Sequence, residues 1–423
     1  MHDDIRAPQA TAKPVPAPLQ TNTVTTPADL VIDEQKIENE FGPAPNGANT
    51  PEPDKPKGLK LKKMLPPITR KHNHKRELIL IGIALGVLLI AGAASFIVLQ
   101  RYQPTVAHLP APVIHKKPVP TTVPSTLTGL LVDPSVNDRP VTAVMIENSL
   151  DARPQSGLDQ AGVVFEALAE GGVTRFMGLF QDTQPDYIGP VRSARPYYIQ
   201  WLLGFDAAYA HVGGSPDALS DITSWSVKDL NQFYNSGAYE RISSRYAPHN
   251  VYTSIAQLNQ IETAKGYTKS TYTGFTRKPK ETPSKTPTAT SIDIKFSGYY
   301  YDSHYDYDAA TNTYKRSESG AAHMELHKDG SQVQIAPKVV VAMIVPEQNG
   351  ALDSSGAYYA NYASIGSGQI TVFQDGITET GTWSKASNTA PLVFNDANGK
   401  PLALDPGQTW IAATPLASNV TYK

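Results

Sequence analysis

Two glutamates and an arginine bracket a pair of glycines in EALAEGGVTRF, residues 166–176. Two carboxylates this close in sequence suggest glycoside hydrolysis, in which the paired carboxyl groups stand roughly 5–9.5 Å apart. A Gly-Gly connection between two apolar runs, however, predicts a two-residue β-hairpin. On a strand, the four steps from Glu166 to Glu170 cover about 13 Å, which is too far for such a pair. The spacing therefore favours a charged strip over a catalytic pair.

The two-residue connection also predicts the register of this hairpin. The expected facing pairs are Glu170–Val173, Leu168–Arg175 and Glu166–Met177. In that register Arg175 is a diagonal neighbour of both glutamates, and the three charges share one face. The opposite face, which includes Phe165 and Phe176, is then the core face. We expect a salt-bridged strip on a partly covered face of the sheet.

A second charged cluster lies in GPVRSARPYYIQW, residues 189–201. Arg192 and Arg195 are three positions apart, and Pro196 is a favourable first residue of a helix. Both guanidiniums would then lie near the positive end of the helix, where an anion is also favoured. Two interpretations stay open, binding of an anionic ligand or pairing with internal carboxylates. The internal candidates are Glu147, Glu166 and Glu170.

Four further polar residues follow predicted strands or lie in the loops after them. Glu147 ends a short buried strand, where the loops of an α/β domain often build sites, and Arg153 lies in the loop that follows. His211 and His249 could form an acid–base or metal-binding pair, although single histidines are more often structural. No catalytic residue is assigned. The ligand-binding candidates are Glu147, Arg153, Glu166, Glu170, Arg175, Arg192, Arg195, His211 and His249.

Tyrosine and aspartate are concentrated in SGYYYDSHYDYD, residues 297–308. Tyrosines offer an apolar face and a polar tip, so this segment could be an aromatic platform for a sugar or a peptide. Alternatively, the tyrosines form cross-strand pairs on an antiparallel sheet. Asp302, Asp306 and Asp308 lack the spacing and the glycine of an EF-hand calcium loop.

Composition excludes several classes of function. The chain has 423 residues, a formal net charge of −2 and no cysteine. Without cysteine there is no disulfide, no thiolate metal site and no cysteine nucleophile. The G-x-S-x-G, H-E-x-x-H and P-loop patterns are absent. Near-neutral charge argues against a dedicated nucleic-acid binder, which usually carries a basic surplus. We expect no metal, no cofactor and no nucleic-acid partner.

The segment LILIGIALGVLLIAGAASFIVL, residues 78–99, is an uncharged apolar run. It is long enough to cross about 30 Å of hydrocarbon as a helix. Nine basic residues lie between positions 55 and 76, whereas only Arg101 follows the run before Lys116. The positive-inside rule predicts a cytoplasmic N-terminus and an extracytoplasmic C-terminal part.

The remaining sequence suggests how the chain is organised. Residues 1–77 are too poor in apolar residues to form a core, and prolines predict an extended spacer before the exterior part. We expect an α+β fold, with Trp383 and Trp410 as core anchors of its β-rich half. The expected parts are a disordered tail at 1–77, a transmembrane helix at 78–99, a spacer at 100–126, a mixed α/β domain at 127–276, a linker at 277–291 and a β-rich domain at 292–423.

Long blocks of the exterior sequence resemble the bacterial DUF3048 family. They include VMIENSLDARPQSGLDQAGVVFEALAEGGVTRFMGLF, GPVRSARPYYI, HVGGSPDAL, RYAPHNVYT, YDYDAATNTYKR, GAAHMELHKDGSQVQIAPKVVV and LDPGQTWIAATP. The resemblance covers nearly all of residues 127–423. It implies a membrane-tethered extracytoplasmic protein of two domains and supplies no catalytic residues. The chain departs from the lipoproteins of this family because it has no cysteine for lipid attachment, so the apolar helix would be the anchor.

These observations favour a noncatalytic binding or scaffolding module of the cell envelope. Its expected partners are the membrane itself and an anionic cell-wall component or an envelope protein. The alternative is an envelope hydrolase that uses Glu147, Glu166 or Glu170 with His211 or His249. A third interpretation is a structural assembly protein whose membrane helix and tail recruit partners.

Overall fold

The computed structural model describes residues 74–102, 121–352 and 358–423. Most of the expected tail and spacer therefore lies outside the described residues. Residues 121–423 belong to one compact unit, and the apolar helix belongs to a second. The described α-helices are α1 (His74–Arg101), α2 (Pro196–Leu203), α3 (Pro216–Ser224) and α4 (Ile255–Lys265).

The rest of the described chain is rich in strands, and short 3₁₀ helices lie between some of them. The strands are β1 (Val123–Pro124), β2 (Leu131–Val132), β3 (Thr142–Glu147), β4 (Val163–Leu168), β5 (Thr174–Phe180), β6 (Ala208–Ala210), β7 (Lys228–Asp229), β8 (Tyr239–Arg241), β9 (Val251–Thr253), β10 (Ser291–Ile294), β11 (Ser303–Asp308), β12 (Thr313–Glu318), β13 (Ala321–Ala322), β14 (Met324–Leu326), β15 (Gln332–Gln334), β16 (Val339–Ile344), β17 (Glu347–Leu352), β18 (Tyr358–Tyr362), β19 (Gly366–Gln374), β20 (Ile377–Lys385), β21 (Val393–Asp396), β22 (Thr409–Thr414) and β23 (Val420–Tyr422). This mixture of helices and sheets, with a large β-rich part, agrees with the expected α+β class.

Helix α1 contains a membrane-length apolar segment. The stretch Gly82–Arg101 is 20 residues long, has a mean hydropathy of 2.5 and is not buried within the protein. At 1.5 Å per residue, this length matches the hydrocarbon core of a bilayer, which is about 30 Å thick. By length and composition, the helix can cross a membrane.

Ten strands form one mixed sheet, in the order β21-β20-β19-β16-β22-β4-β5-β3-β6-β7. Strands β16, β22 and β4 are parallel neighbours, and β3, β6 and β7 are also parallel. Strand β5 lies antiparallel between β4 and β3. Strands β3, β4, β6 and β7 consequently end at the same side of the sheet, which we call the carboxyl edge.

The expected division at residues 277–291 does not separate two compact units. Strand β22 pairs in parallel with β4 from Thr409–Val163 to Ala412–Glu166, so both halves of the exterior chain contribute to one sheet. The Pro- and Lys-rich segment lies along this unit, where Lys278 N donates to Leu404 O at 2.8 Å. A Pro- and Lys-rich composition indicates extended backbone. It does not distinguish a linker between two domains from a segment that lies along the surface of one.

A second, antiparallel sheet has the order β13-β12-β11-β10-β23. Burial alternates along β12, where Tyr314, Arg316 and Glu318 are buried and Lys315 is exposed. Arg316 forms an ion pair with Glu166 on β4, so the buried face of this sheet packs against the large sheet. Trp383 and Trp410 are 1% and 0% exposed, which confirms the prediction that both are core residues.

The hairpin of β4 and β5 forms, but the predicted register is wrong by one residue. The structure pairs Glu166 with Phe176 and Ala167 with Arg175. The Gly171-Gly172 turn is present, because Val173 N donates to Glu170 O at 2.9 Å and both glycines have positive φ. Ala169 N also donates to Val173 O at 2.9 Å. Two residues therefore oppose Val173, and this bulge shifts every later pair by one position.

The shifted register also changes the faces of the hairpin. Because strand side chains alternate, Glu166 and Arg175 point to opposite faces. Every residue of β4 and β5 is buried, so neither face is partly covered as expected. The expected single charged strip does not exist.

Candidate functional site

The carboxyl edge brings several of the candidate residues together. Glu147 is the last residue of β3, and Glu170 lies in the turn between β4 and β5. His211 directly follows β6. The segment that carries Arg192 and Arg195 lies beside this edge, because residue 191 bridges to residue 146 and residue 194 bridges to residue 214. The parallel strands thus place residues that are distant in sequence at one end of the sheet.

Glu147 is the centre of one cluster at this edge. One of its oxygens lies 2.9 Å from His249 Nδ1 and accepts a hydrogen bond from Ser149 Oγ at 2.8 Å. Its other oxygen lies 3.3 Å from Arg192 Nε. Burial alone would raise the pKa of Glu147, but Arg192 and the hydrogen bond from His249 outweigh it and lower this pKa. The hydrogen bond to Glu147 in turn raises the pKa of His249.

The set of Ser149, His249 and Glu147 contains the residue types of a hydrolytic triad, but its geometry differs. Ser149 Oγ lies 3.2 Å from His249 Nδ1, the same nitrogen that contacts Glu147. A serine nucleophile needs the carboxylate at one ring nitrogen and the serine at the other. Among the described residues, both hydrogen-bond partners of His249 lie at Nδ1, and none lies at Nε2. The cluster therefore orients an imidazole that can hold a charge or exchange a proton through Nε2.

Glu170 is the centre of a second cluster. It forms an ion pair with Arg175 at 2.5 Å, and its other oxygen accepts from Arg195 Nε at 3.0 Å. Burial would raise the pKa of Glu170, but the two guanidiniums outweigh it and lower this pKa to about 2. Arg195 also stacks 4.7 Å above the ring of Tyr359. Of the two open interpretations of the arginines, the structure shows pairing with internal carboxylates.

Glu166 lies outside both clusters. It is fully buried on the other face of β4, where Arg316 contacts it at 2.8 Å and Trp410 Nε1 donates to it at 2.9 Å. Burial raises the pKa of Glu166. The sequence analysis did not identify Arg316. The signal was its position in YKRSE, where Arg316 lies two residues after Tyr314 and therefore on the same, buried face of the strand. Glu166 cannot act with Glu147 or Glu170 at the carboxyl edge.

Arg153 and His211 have structural partners. Arg153 Nε lies 3.0 Å from Glu318, and its Nη2 donates to Tyr300 O at 2.8 Å. Arg153 thus joins the loop at 148–156 to the loop at 297–303. The ring nitrogens of His211 face the carbonyl of Gly213 at 2.6 Å and the carboxylate of Asp229 at 3.0 Å.

His211 and His249, which the sequence allows to pair, have separate partners in the structure. His211 is completely buried among its own partners, whereas the contacts of His249 are Glu147 and Ser149. Within residues 74–102, 121–352 and 358–423, no group of three or more histidine, aspartate or glutamate residues is arranged to hold a metal ion. Asp302, in the aspartate-rich segment, accepts hydrogen bonds from Phe296 N and Gly298 N and so closes its own loop.

Exposed aromatic residues lie on the loops beside Glu147 and His249. Arg245 Nη1 donates to Asp151 O at 2.6 Å, which holds the loop at 242–250 against the loop at 148–156. Arg153 holds the loop at 297–303 from the other side. We call the exposed apolar residues of the three loops the tyrosine rim. Its members are Leu150 (48% exposed), Tyr246 (91%), Tyr299 (65%) and Tyr300 (48%).

The tyrosine-rich segment divides into tyrosines that pair across strands, as the second interpretation predicts, and tyrosines that stay exposed. Tyr307 and Tyr314 face each other across β11 and β12 with ring centroids 5.1 Å apart, and Tyr305 is fully buried. Tyr299 and Tyr300, in the preceding loop, stay exposed. The start of β11 at Ser303 separates the exposed tyrosines from the buried ones, and composition alone does not reveal that boundary.

Comparisons with known proteins agree with this architecture. Residues 127–268 match the family described as "Protein of unknown function (DUF3048) N-terminal domain", and residues 292–411 match its C-terminal domain. The chain is 31% identical over 292 residues to "Putative lipoprotein YerB" of Bacillus subtilis (strain 168), over 68% of this chain and 85% of that protein.

A solved structure has the same fold. The crystal structure of YerB protein from Bacillus subtilis superposes with a TM-score of 0.62 at 29% sequence identity. The match covers 71% of this chain and 99% of the other. With its two family regions in one shared sheet, this chain belongs to the DUF3048 family, a family of unknown function related to YerB.

Proposed function

We propose that this protein is a single-pass membrane protein whose exterior part is a binding module of the bacterial cell envelope. The apolar segment Gly82–Arg101 supports a membrane span. The basic residues before it support a cytoplasmic N-terminus, by the positive-inside rule. The lipoprotein description of the YerB relative supports membrane attachment in this family. Since this chain has no cysteine, α1 is the proposed anchor.

The observation that carries the binding function is the tyrosine rim. Its aromatic side chains are exposed, whereas the charged side chains at the carboxyl edge form ion pairs with one another. Arg192 contacts Glu147 and Arg195 contacts Glu170, so an anion would compete with these carboxylates for the arginines. Tyrosine faces bind apolar sugar faces, and their hydroxyls add hydrogen bonds. We therefore assign recognition of a cell-wall glycan strand to the rim rather than to the arginines.

The test measures binding of detergent-solubilised full-length protein to purified cell-wall sacculi. The double variant Tyr246→Ala with Tyr300→Ala should bind about tenfold or more weakly, because each aromatic contact contributes roughly 0.5–1.5 kcal/mol. Tyr234→Ala is the matched control, since Tyr234 is an 81% exposed tyrosine outside the rim. Equal binding by the double variant and the control would exclude the rim as the binding surface.

Topology has its own test, which the absence of cysteine simplifies. A single cysteine introduced by Lys328→Cys, at an exposed position of the exterior part, should react with a membrane-impermeant maleimide in intact cells. A single cysteine introduced by Lys13→Cys should react only after the membrane is permeabilised. Labelling of Lys13→Cys in intact cells would overturn the proposed orientation.

A second candidate function is hydrolysis of an envelope polymer, which the contact between Glu147 and His249 favours. The other carboxylates of the original hypothesis are less suitable, because Glu166 is fully buried and Glu170 is paired with two arginines. Release of soluble fragments from sacculi, abolished by Glu147→Gln and by His249→Asn in folded protein, would establish hydrolysis. Binding of sacculi without release of soluble fragments would favour the noncatalytic binding module over the hydrolase.

A further inference from the structure

One lysine and two buried aspartates meet far from the carboxyl edge loops. Lys278 Nζ lies 2.7 Å from Asp375 Oδ2 and 2.9 Å from Asp405 Oδ1. The two aspartates are 1% and 0% exposed. Asp375 lies in the turn between β19 and β20, and Asp405 lies before β22. Three distant parts of the chain therefore place an amine against two carboxyl groups.

The two carboxyl groups have different surroundings. Asp375 accepts hydrogen bonds from Thr282 N at 3.0 Å, from Thr282 Oγ1 at 3.0 Å and from Asn312 Nδ2 at 3.1 Å. The side chain of Asp405 contacts Lys278 and Asp375, and Arg277 places a second positive charge near it. The two carboxyl groups share the ammonium of Lys278, which favours uptake of a proton by one of them.

Asp405 is the carboxyl group that takes up this proton more readily. Burial, together with the neighbouring Asp375, raises the pKa of Asp405 to about 6 although Lys278 opposes the shift. The pKa of Asp375 is lowered instead, because hydrogen bonds from Lys278, Asp405 and Thr282 outweigh its burial. At pH values near or below 6, where Asp405 holds a proton, the cluster contains a carboxylic acid, a carboxylate and an ammonium group in mutual contact, which are the components of amide formation.

We propose that Lys278 and Asp405 condense into an intramolecular isopeptide bond, with Asp375 as the proton acceptor. Asp375 first takes one proton from the ammonium of Lys278. The lone pair of Nζ then attacks Cγ of Asp405, and the C–OH bond of the carboxyl group breaks. The hydroxyl leaves as water with a second proton from Nζ, and the amide keeps the third. Asp375 ends protonated, so atoms and charge balance without any further reactant.

The backbone holds the two reacting residues side by side. Lys278 N donates to Leu404 O at 2.8 Å, and Leu404 N donates to Thr276 O at 2.9 Å. Arg277 Nη1 also donates to the carbonyl of Asp405 at 3.0 Å. Well-oriented intramolecular reactions have effective molarities on the order of 10⁵–10⁸ M, which favours a condensation that does not proceed between free side chains in water. The bond would join the 277–291 segment covalently to the residues just before β22, a central strand of the large sheet.

The test is the mass of the denatured full-length protein, purified in detergent, and of its proteolytic peptides. The parent should be lighter than its sequence by one water molecule, and one peptide should join Lys278 to Asp405. Asp375→Asn and Lys278→Arg should each show the full sequence mass. Asp405→Asn offers an independent signature, because condensation with an amide releases ammonia instead of water.

Each result decides the proposal. A parent at its full sequence mass, with circular dichroism that shows it folded, would mean that Lys278 forms an ion pair only. A linked peptide that contains Asp375 in place of Asp405 would overturn the assignment of the acceptor. A linked peptide in the Asp375→Asn variant, at the level of the parent, would overturn the role of Asp375.

Discussion

Glu166 and Arg175 lie on opposite faces of one β-hairpin, although they are close in sequence and opposite in charge. A single extra residue opposite Val173 produces this arrangement. Glu166 consequently pairs with Arg316 between the two sheets, and Arg175 pairs with Glu170 at the carboxyl edge. One hairpin thus supports two separate ionic networks.

Loss of Arg316 should destabilise the exterior part strongly. Arg316 is fully buried and contacts both Glu166 and Glu318 at 2.8 Å. Arg316→Ala would leave two carboxylates without their main partner, so the free energy of unfolding should fall by about 3–5 kcal/mol. Urea denaturation of the full-length protein followed by circular dichroism measures this loss.

Lys315→Ala is the matched control for that variant. Lys315 is the neighbouring residue of β12, and its ion pair with Asp308 is solvent-exposed on the opposite face. Such pairs contribute roughly 0–1 kcal/mol. If Arg316→Ala were no more destabilising than Lys315→Ala, the interface network would not stabilise the fold.

Glu170 should make the protein sensitive to acid. Its pKa is about 2 in the folded state, compared with 4.5 for an unperturbed glutamate. A lowered pKa stabilises the fold above pH 4.5, and that stabilisation disappears as pH falls toward 2. The difference corresponds to about 3 kcal/mol. In Glu170→Gln, the free energy of unfolding should vary less between pH 5 and pH 3 than in the parent, and an unchanged slope would contradict the assignment.

Glu262 should have the opposite effect. It is buried in α4, accepts a hydrogen bond from Thr142 at 2.7 Å and has a pKa raised by burial to about 7. The folded state then holds a proton that the unfolded state releases, so stability falls as pH rises from 4.5 to 7. Glu262→Gln keeps the acceptor and removes the ionisation. Thermal unfolding at pH 8 should show a gain of about 3 kcal/mol, which exposed Glu240→Gln should not reproduce.

His249 should titrate above the ordinary histidine pKa of 6.5, because Glu147 stabilises its charged form. Nuclear magnetic resonance of isotope-labelled histidines can follow the ring signals against pH. In Glu147→Gln the midpoint of His249 should fall, since the neutral amide no longer favours the imidazolium. His304, which contacts Asp293 and Asp306 instead, should not move. A shared shift of both histidines would indicate a global change rather than loss of this contact.

Local patterns in the sequence predicted local structure well. Helix α3 begins at a favourable Ser-Pro pair, with Ser215 as the N-cap that accepts from Ala218 N and Pro216 as the first helical residue. Glu147 ends a buried strand, as predicted. The internal carboxylates predicted as possible partners of the two arginines included Glu147, which pairs with Arg192, and Glu170, which pairs with Arg195. These features depend on neighbours in sequence or on the need to pair a buried charge.

Long-range features could not be predicted in the same way. The partner of Glu166 is 150 positions away, and nothing in the sequence around Glu166 points to Arg316. The bulge beside Glu170 depends on how one turn closes, and a one-residue change in register exchanges the two faces. The parallel contact of β22 with β4 joins segments that look like separate domains, because pairing between distant strands leaves no local signal.

The position of β22 has a consequence for how the protein is made. Residues 409–414 fill the centre of the large sheet between β4 and β16, yet they follow every other strand of that sheet along the chain. Ribosomes produce chains from the N-terminus, so two half-sheets with unpaired inner edges exist until this last strand emerges. Such edges invite aggregation. During biogenesis the nascent protein should therefore depend on chaperones until translation has passed residue 414.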